Sequence, residues 1–230
     1  MWRYLFSLER RRQWLLRRAP PGALREFLSV PTPPPGNDHR DLRFLALDFE
    51  TTGLEPDSGQ ILSAGYLGLQ GGRIQLGSCR HEIVRVQGDI PAESAVVHRI
   101  TDDRAAAGLD LQTVVENLLE ALAGKVLVAH HAQIEFKFLN AACQQLYGCG
   151  IVMPVVDTLA LEKRLMDYSG RPIRPGSLRL WAARERYGLP RYQAHDALID
   201  ALACAELFLA QCAYRSRGRR MNLQLLLHRL

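Results

Sequence analysis

The sequence predicts an α/β protein built on a mixed sheet with helices on both faces. Three observations carry this. Residues 44–49, 61–69 and 73–84 read as short strands, and the last two are separated by Gly71 and Gly72, a two-residue hairpin signal. Beyond residue 110 the period changes, with apolar residues at helical spacing over 111–122, 134–147 and 158–166. Brief apolar runs at 126–129 and 152–156 alternate with those helices. An antiparallel meander followed by helix–strand alternation gives a sheet with both kinds of pairing, covered on both sides.

The elements follow in order. Residues 1–29 read as basic helical segments with Trp2, Leu5, Leu8, Trp14 and Leu15 as apolar positions. Pro31, Pro33, Pro34 and Pro35 bar a helix through 30–37, which reads as an extended, polyproline-like linker. The main domain starts near Asp41, and its first strand is an apolar run ending in carboxylates. The helix at 111–122 ends before Gly124, and the helix at 134–147 stops at Gly148. A further helix spans 177–187, with Ser177 as cap and Gly188 beyond it. The last long helix covers 195–212. This divides the chain into a basic arm and linker (1–40), a domain (41–213) and a basic tail (214–230).

Composition narrows the function classes. The hydrophobic fraction is 47%, ordinary for a globular protein, and no apolar run approaches the roughly 18 residues of a membrane helix. Glu9, Arg10, Arg11 and Arg12 interrupt the N-terminal apolar residues, so no signal-peptide core is present. Cys79, Cys143, Cys149, Cys204 and Cys212 include no CxxC pair, and their odd number fits reduced thiols in a cytoplasmic protein. The net charge of +5 is uneven: seven Arg and one Glu give +6 over 1–25, five Arg give +5 over 214–230, and −6 is left between them. Basic ends on an acidic centre suit a protein that gathers a polyanion and coordinates cations. The plainer reading is that terminal arginines keep the ends soluble.

Asp48, Phe49 and Glu50 close the first strand. Side chains two apart share a strand face, so the two carboxylates point together while Phe49 turns into the core. Paired carboxylates repel unless a cation lies between them, and oxygen ligands suit Mg²⁺ or Mn²⁺. Taken alone, two exposed acids at a strand end look the same.

The wider pattern is more specific. Residues 48–54 read DFETTGL, residues 129–135 read AHHAQIE, and residues 195–201 read HDALIDA. Over about 44–209 this resembles the DEDDh exonuclease family, which includes the proofreading epsilon subunit of bacterial DNA polymerase III and ribonuclease T. The resemblance implies a ribonuclease-H-like fold and hydrolysis of phosphodiester bonds at nucleic-acid 3′ ends. It implies Asp48, Glu50 and Asp200 as metal ligands and His195 as the general base. The middle motif ordinarily carries Asp where this chain has Glu135, with His131 and Ile134 at positions of Asn and Phe. The added methylene loosens ligand geometry and implies a preference for Mn²⁺ over the stricter Mg²⁺.

The chemistry suits these residue types. Two cations about 3.5–4 Å apart activate water and stabilise the departing oxygen, four carboxylates balance them, and a histidine titrating near neutrality takes the proton. His195 and Asp200 lie about 140° apart on an ideal helix. His195 is therefore expected at or before the helix start, on a mobile segment, with Asp200 inside the helix. Asp196 reads as a helix cap or dipole compensator, with a site role as its alternative, and Asp157 as a helix cap, with support of the site as its alternative.

The resemblance also implies that the backbone of Thr51, Thr52, Gly53 and Leu54 holds the terminal nucleotide, Leu54 wedging against a base. Gly53 permits close approach and threonine hydroxyls bond phosphate or sugar; a tight turn closing the strand is the alternative. His98 matches a segment lining the nucleotide pocket, or is a surface histidine. His130 is placed near the site, His131 as a cap or exposed, and Trp181 as a packing residue rather than a base platform. Residues 224–228 loosely resemble a sliding-clamp-binding peptide, against an amphipathic tail helix packed on its own domain or on a partner. Expected partners are single-stranded nucleic acid or duplex 3′ ends, two divalent ions, and a protein docked through the arm or tail, with no membrane; a homodimer stays open. The rival readings are a partner-dependent proofreading or scaffolding subunit and a nucleic-acid-binding module without catalysis.

Overall fold

A computed structural model describes residues 2–86, 102–170 and 172–229. Two helices, α1 (Trp2–Arg18) and α2 (Ala23–Ser29), precede β1 (Arg43–Thr51), β2 (Ile61–Gln70) and β3 (Arg73–Ile83). Then come α3 (Asp102–Ala106), α4 (Leu111–Leu122), β4 (Val126–Ala129), α5 (Gln133–Tyr147), β5 (Val155–Asp157), α6 (Thr158–Tyr168), α7 (Leu180–Glu185) and α8 (Ala197–Ser216).

The five strands form one mixed sheet in the order β3-β2-β1-β4-β5. β1 runs antiparallel to β2 and parallel to β4, and β4 runs parallel to β5. The β2–β3 hairpin turns through Gly71 (φ 59°) and Gly72 (φ 71°), left-handed conformations that glycine adopts without a Cβ penalty. Central β1 is buried almost throughout. Phe44 meets Phe208 of α8, with ring centroids 4.9 Å apart, so even-numbered β1 side chains face α8. Leu45, Leu47 and Phe49 point the other way, where α4 and α5 cover the sheet. The mixed sheet with helices on both faces is therefore as the sequence predicts.

α8 is long and apolar enough to cross a membrane by length and composition, but it lies across β1 and β2 with Ala201, Cys204, Ala205 and Phe208 in the core. Two elements are shorter than expected. β5 starts at Val155 because Pro154 has no N–H to offer a ladder. α7 starts at Leu180 rather than Ser177, and the Leu178 carbonyl instead accepts a hydrogen bond from the His130 ring at 2.9 Å.

The N-terminal segment is packed onto the body of the protein rather than held away on a tether. Leu24, Phe27 and Leu28 are buried in the main core, with α2 against α4. Arg12 is buried, its guanidinium bonding the Leu28 carbonyl and Glu9. The proline-rich stretch is stitched to the tail: Pro35 and Asn37 carbonyls accept from the Gln224 and Leu223 amides, each at 3.0 Å. Leu226 and Leu227 are buried while Leu225 is exposed, so two of the three leucines of the clamp-like stretch cover this chain's own core, as in the reading of a tail packed on its own domain.

Candidate active site

β1 delivers Asp48 and Glu50 to the α8 face at its C-terminal end, while Phe49 is buried behind them. Asp48 stands opposite Gly65 in the β1–β2 register. Gly65 explains how α8 reaches this spot. A Cβ there would lie 2.1 Å from the Ala197 carbonyl carbon and 2.1 Å from the Leu198 nitrogen. The bare glycine lets the first turn of α8 rest directly on the sheet, beside Asp48. Asp200, in that turn, then completes a group with Asp48 and Glu50 whose carboxylate oxygens lie within 4.8 Å of one another.

His195 lies two residues before α8, in the left-handed region at φ 68°. Non-glycine residues rarely sit there, at a cost of roughly 1–2 kcal/mol. Its N–H donates to Asp200 Oδ2 at 2.8 Å, which helps hold the backbone in that state. Asp196 Oδ1 accepts from the Leu198 and Ile199 amides at 3.1 Å each, so it is the helix cap its position predicts. Further back, the buried Arg184 guanidinium donates to the Pro190 carbonyl, the Ala203 carbonyl and Glu206. It thereby ties the loop that carries His195 to the body of α8.

Glu135 sits in the first turn of α5 and is only 4% exposed, so it belongs to the floor of the site rather than its rim. The helix buries Phe138 and Leu139, with Phe136 half-buried. Burial pushes the Glu135 carboxyl up to about 8. Burial, and then the charges of Glu135, Asp200 and Glu50, hold the Asp48 carboxyl well above its usual range. Asp200 is raised too, chiefly by burial. Glu135 lies outside the group of three carboxylates with converging oxygens, yet it is the strongest charged neighbour of Asp48. Its Oε2 is buried without a hydrogen-bond partner among the described residues.

His130 and His131 divide as neighbours on a chain must. The His130 ring is held between Thr158 Oγ1 and the Leu178 carbonyl, 2.9 Å each, and burial drives its pKa down to about 4. A neutral ring that donates from Nε2 and accepts at Nδ1 satisfies both partners. His131 is exposed at φ 72°, and its N–H donates to Asp157 Oδ1 at 3.0 Å. Asp157 also caps α6 through the Leu159 and Ala160 amides, so both readings of Asp157 hold in its geometry.

Asp48, Glu50, Glu135, His195 and Asp200 line an open cleft of about 470 Å³ with Thr51, Thr52, Gly53 and Leu54 along one wall. Both threonine hydroxyls serve the turn: Thr51 Oγ1 donates to the Gly53 carbonyl at 2.6 Å, and Thr52 Oγ1 accepts from the Gln60 amide at 2.9 Å. Leu54 is exposed at the cleft mouth. His98 lies outside the described residues.

Residues 45–208 match the family model described as Exonuclease, RNase T. The chain belongs to the RNase T exonuclease family. It is 31% identical over 74% of its length to the PolC-type DNA polymerase III of Thermotoga maritima. The chain spans about 12% of the length of that polymerase. It is 28% identical to the DNA polymerase III epsilon subunit of Treponema pallidum, over 78% of this chain and 80% of that one. Among solved structures, the nuclease domain of 3′hExo, a DEDDh family member bound to rAMP, superposes with a TM-score of 0.63. At 16% identity over 81% of this chain and 98% of that domain, that likeness establishes the ribonuclease-H-like fold. The exonuclease fold and family are thus as the three motifs imply.

The motifs did not reveal everything at this site. Gly65, inside a strand, is the residue type that marks a close approach of another backbone. Trp181 is 49% exposed and lines a neighbouring cavity, so it is not the packing residue its helical spacing suggests. Arg184 carried no signal, because its partners lie on two other segments, the loop at Pro190 and the helix carrying Ala203 and Glu206.

Proposed function

We propose that this exonuclease works from the 3′ end, hydrolysing phosphodiester bonds stepwise and releasing nucleoside monophosphates, with divalent cations required. The observation that carries the reading is the convergence of Asp48, Glu50 and Asp200 at the floor of an open cleft that His195 borders. The donor set fits hard cations, being carboxylate oxygens only. The orphaned, buried Glu135 Oε2 fits the same use, since a buried carboxylate without a partner is costly.

Asp48, Glu50, Asp200 and Glu135 would hold two ions, Mg²⁺ or Mn²⁺, which when bound neutralise phosphate charge, activate water and stabilise the leaving oxygen. His195, exposed at the cleft edge, takes the proton of the attacking water. Asp200 serves twice, as a ligand and as the acceptor that fixes His195. The Thr51–Leu54 wall receives the terminal nucleotide through its backbone, and Leu54 offers an apolar edge to the base. The arginine-rich face of α1 would take the strand beyond the cleft, and a protein partner, as suits a chain akin to polymerase subunits, would dock through the basic arm or tail in its place.

The test is digestion of 5′-labelled single-stranded DNA, duplex DNA and RNA with Mg²⁺, Mn²⁺ or EDTA. Laddering from the 3′ end is expected, abolished by EDTA and by a 3′ block, and faster with Mn²⁺. Undiminished cleavage of blocked ends, or full activity in EDTA, overturns the reading.

A further inference from the structure

A second cavity of about 220 Å³ meets the catalytic cleft at Asp48, His195 and Asp200. Its outer wall is formed by Trp181, Pro190, Arg191 and Tyr192. The wall is aromatic and cationic at once. Trp181 and Tyr192 are 49% and 38% exposed. The Arg191 guanidinium carbon lies 5.4 Å from the Trp181 ring centroid, and Arg191 is itself largely exposed. Tyr192 is anchored by its hydroxyl to Glu206 at 2.9 Å and carries the buried Arg184 against its ring at 4.6 Å. Tyr192 is therefore fixed by the same residues that hold the His195 loop.

From this geometry we infer that the cavity is the subsite for the base of the penultimate nucleotide, stacked on Trp181 with Arg191 beside its phosphate. The inference rests on the proposed 3′–5′ reaction. A strand cleaved at the carboxylate cluster must place one nucleotide on each side of the scissile phosphate. The cleft along Thr51, Thr52, Gly53 and Leu54 takes the departing nucleotide, and the adjoining cavity takes the one before it. Its volume is below the roughly 300–1,000 Å³ of whole-ligand sites, which suits a single ring system. Exposed aromatics beside an arginine are what single strands use without sequence preference, since every base has a π-face. A base can enter only if it is out of a duplex stack, so the subsite selects single-stranded 3′ ends of at least two nucleotides.

The experiment is a thermodynamic cycle between Trp181 and that base. Binding of a 5′-fluorescein hexathymidylate is measured by anisotropy in Ca²⁺, with strand integrity checked on a gel. A second probe is abasic at the penultimate position, and a third is abasic four nucleotides from the 3′ end. For the wild type, the penultimate lesion should weaken binding roughly 5- to 150-fold, the range that base–aromatic stacking spans. Trp181→Ala should bind the intact strand as weakly and lose nothing further with the penultimate lesion, while Trp181→Phe recovers most of the affinity. The distal lesion should cost both proteins equally.

An equal penalty for the penultimate lesion in wild type and Trp181→Ala overturns the subsite. If the wild type digests the strand from its 3′ end in Mn²⁺ while the cycle shows no coupling, the subsite alone falls. If the wild type neither binds nor digests it, the proposed function falls and the subsite with it.

Discussion

At the smallest scale, the proposed chemistry turns on two residues, His195 and Glu135. His195 is held in a left-handed backbone by the carboxylate of Asp200, so its ring position is set by a neighbour five residues on. His195→Ala should lower turnover about 10²- to 10⁴-fold while cation and strand affinity stay near wild type; single-turnover kinetics beside a binding titration check this. Glu135 gives a signed pH effect. Its pKa in the fold is about 8 against an ordinary 4.5, so the folded state binds the extra proton and loses stability as pH rises through that range. His130 works the other way: at about 4 in the fold against 6.5, it adds stability as pH rises to 6.5. Between pH 6.5 and 8 the His130 effect is complete and the raised carboxyls remain. Metal-free protein should therefore melt lower as pH climbs from 6.5 to 8, by up to about 1.4 kcal/mol per pH unit for one group. Mn²⁺ should reverse the loss, and Glu135→Gln should flatten the slope. A melting temperature in EDTA that rises over this window would contradict the burial of Glu135. The positions of Asp48, Glu50, Asp196 and Asp200 were legible because strand period and helix capping are local rules. The depth of Glu135 was not, because it depends on how α5 tilts onto β1.

At the scale of elements, the junction that matters is α8 on β2. The sequence showed both elements and even that His195 must precede the helix. It did not show which strand residue the helix rests on, since packing between distant segments leaves no periodic trace. Gly65 is that residue, and its substitution tests the whole placement. Gly65→Ala puts a methyl where the Ala197 and Leu198 backbone lies, 2.1 Å away. The helix must retreat, carrying Asp200 and His195 from Asp48. The expected outcome is a loss of turnover of at least about 100-fold, from displaced catalytic groups, with a stability cost of roughly 1–3 kcal/mol, typical of overpacking. Gly77→Ala is the control, because a Cβ at Gly77 meets nothing within 4 Å. Circular dichroism, melting and turnover of the two variants separate a lost fold from a lost site. Wild-type turnover in Gly65→Ala would mean that α8 does not bear on β2 as described. The ends of α7 and β5 were misjudged for similar reasons: one is set by the His130 bond to Leu178 and the other by a proline at the strand start.

Across the whole molecule, the basic N-terminal segment is separated from the chemistry by the length of the sheet. α2 and the linker border Gly124, Lys125, Met153 and Pro154, at the starts of β4 and β5, and α1 is tied to Cys149 through the Leu15 carbonyl. The carboxylates stand at the opposite end of β1, whose nine residues extend about 30 Å at 3.3 Å each. Composition could reveal the charge of this segment but not its address. Removing residues 1–36 would expose the apolar face of α4 that Leu24, Phe27 and Leu28 cover, so deletion is expected to unfold or aggregate the protein. The informative change is on the exposed face of α1: Arg10, Arg11, Arg17 and Arg18 replaced together by Gln, which leaves Leu8, Arg12 and Leu15 buried as they are. A strand of six nucleotides, filling only the cleft, should bind this variant with the wild-type salt dependence. A strand of 40 nucleotides can reach around the sheet, and there the slope of log K against log salt should shrink by about 0.7 for each phosphate that an arginine no longer neutralises. Anisotropy titrations from 50 to 300 mM salt measure both. A changed slope with the short strand would put α1 beside the cleft, against the fold described. An unchanged slope with both strands would assign the arginine face, with Trp14 exposed beside Arg18, to a protein partner, because Trp and Arg are the residues on which such interfaces concentrate their energy.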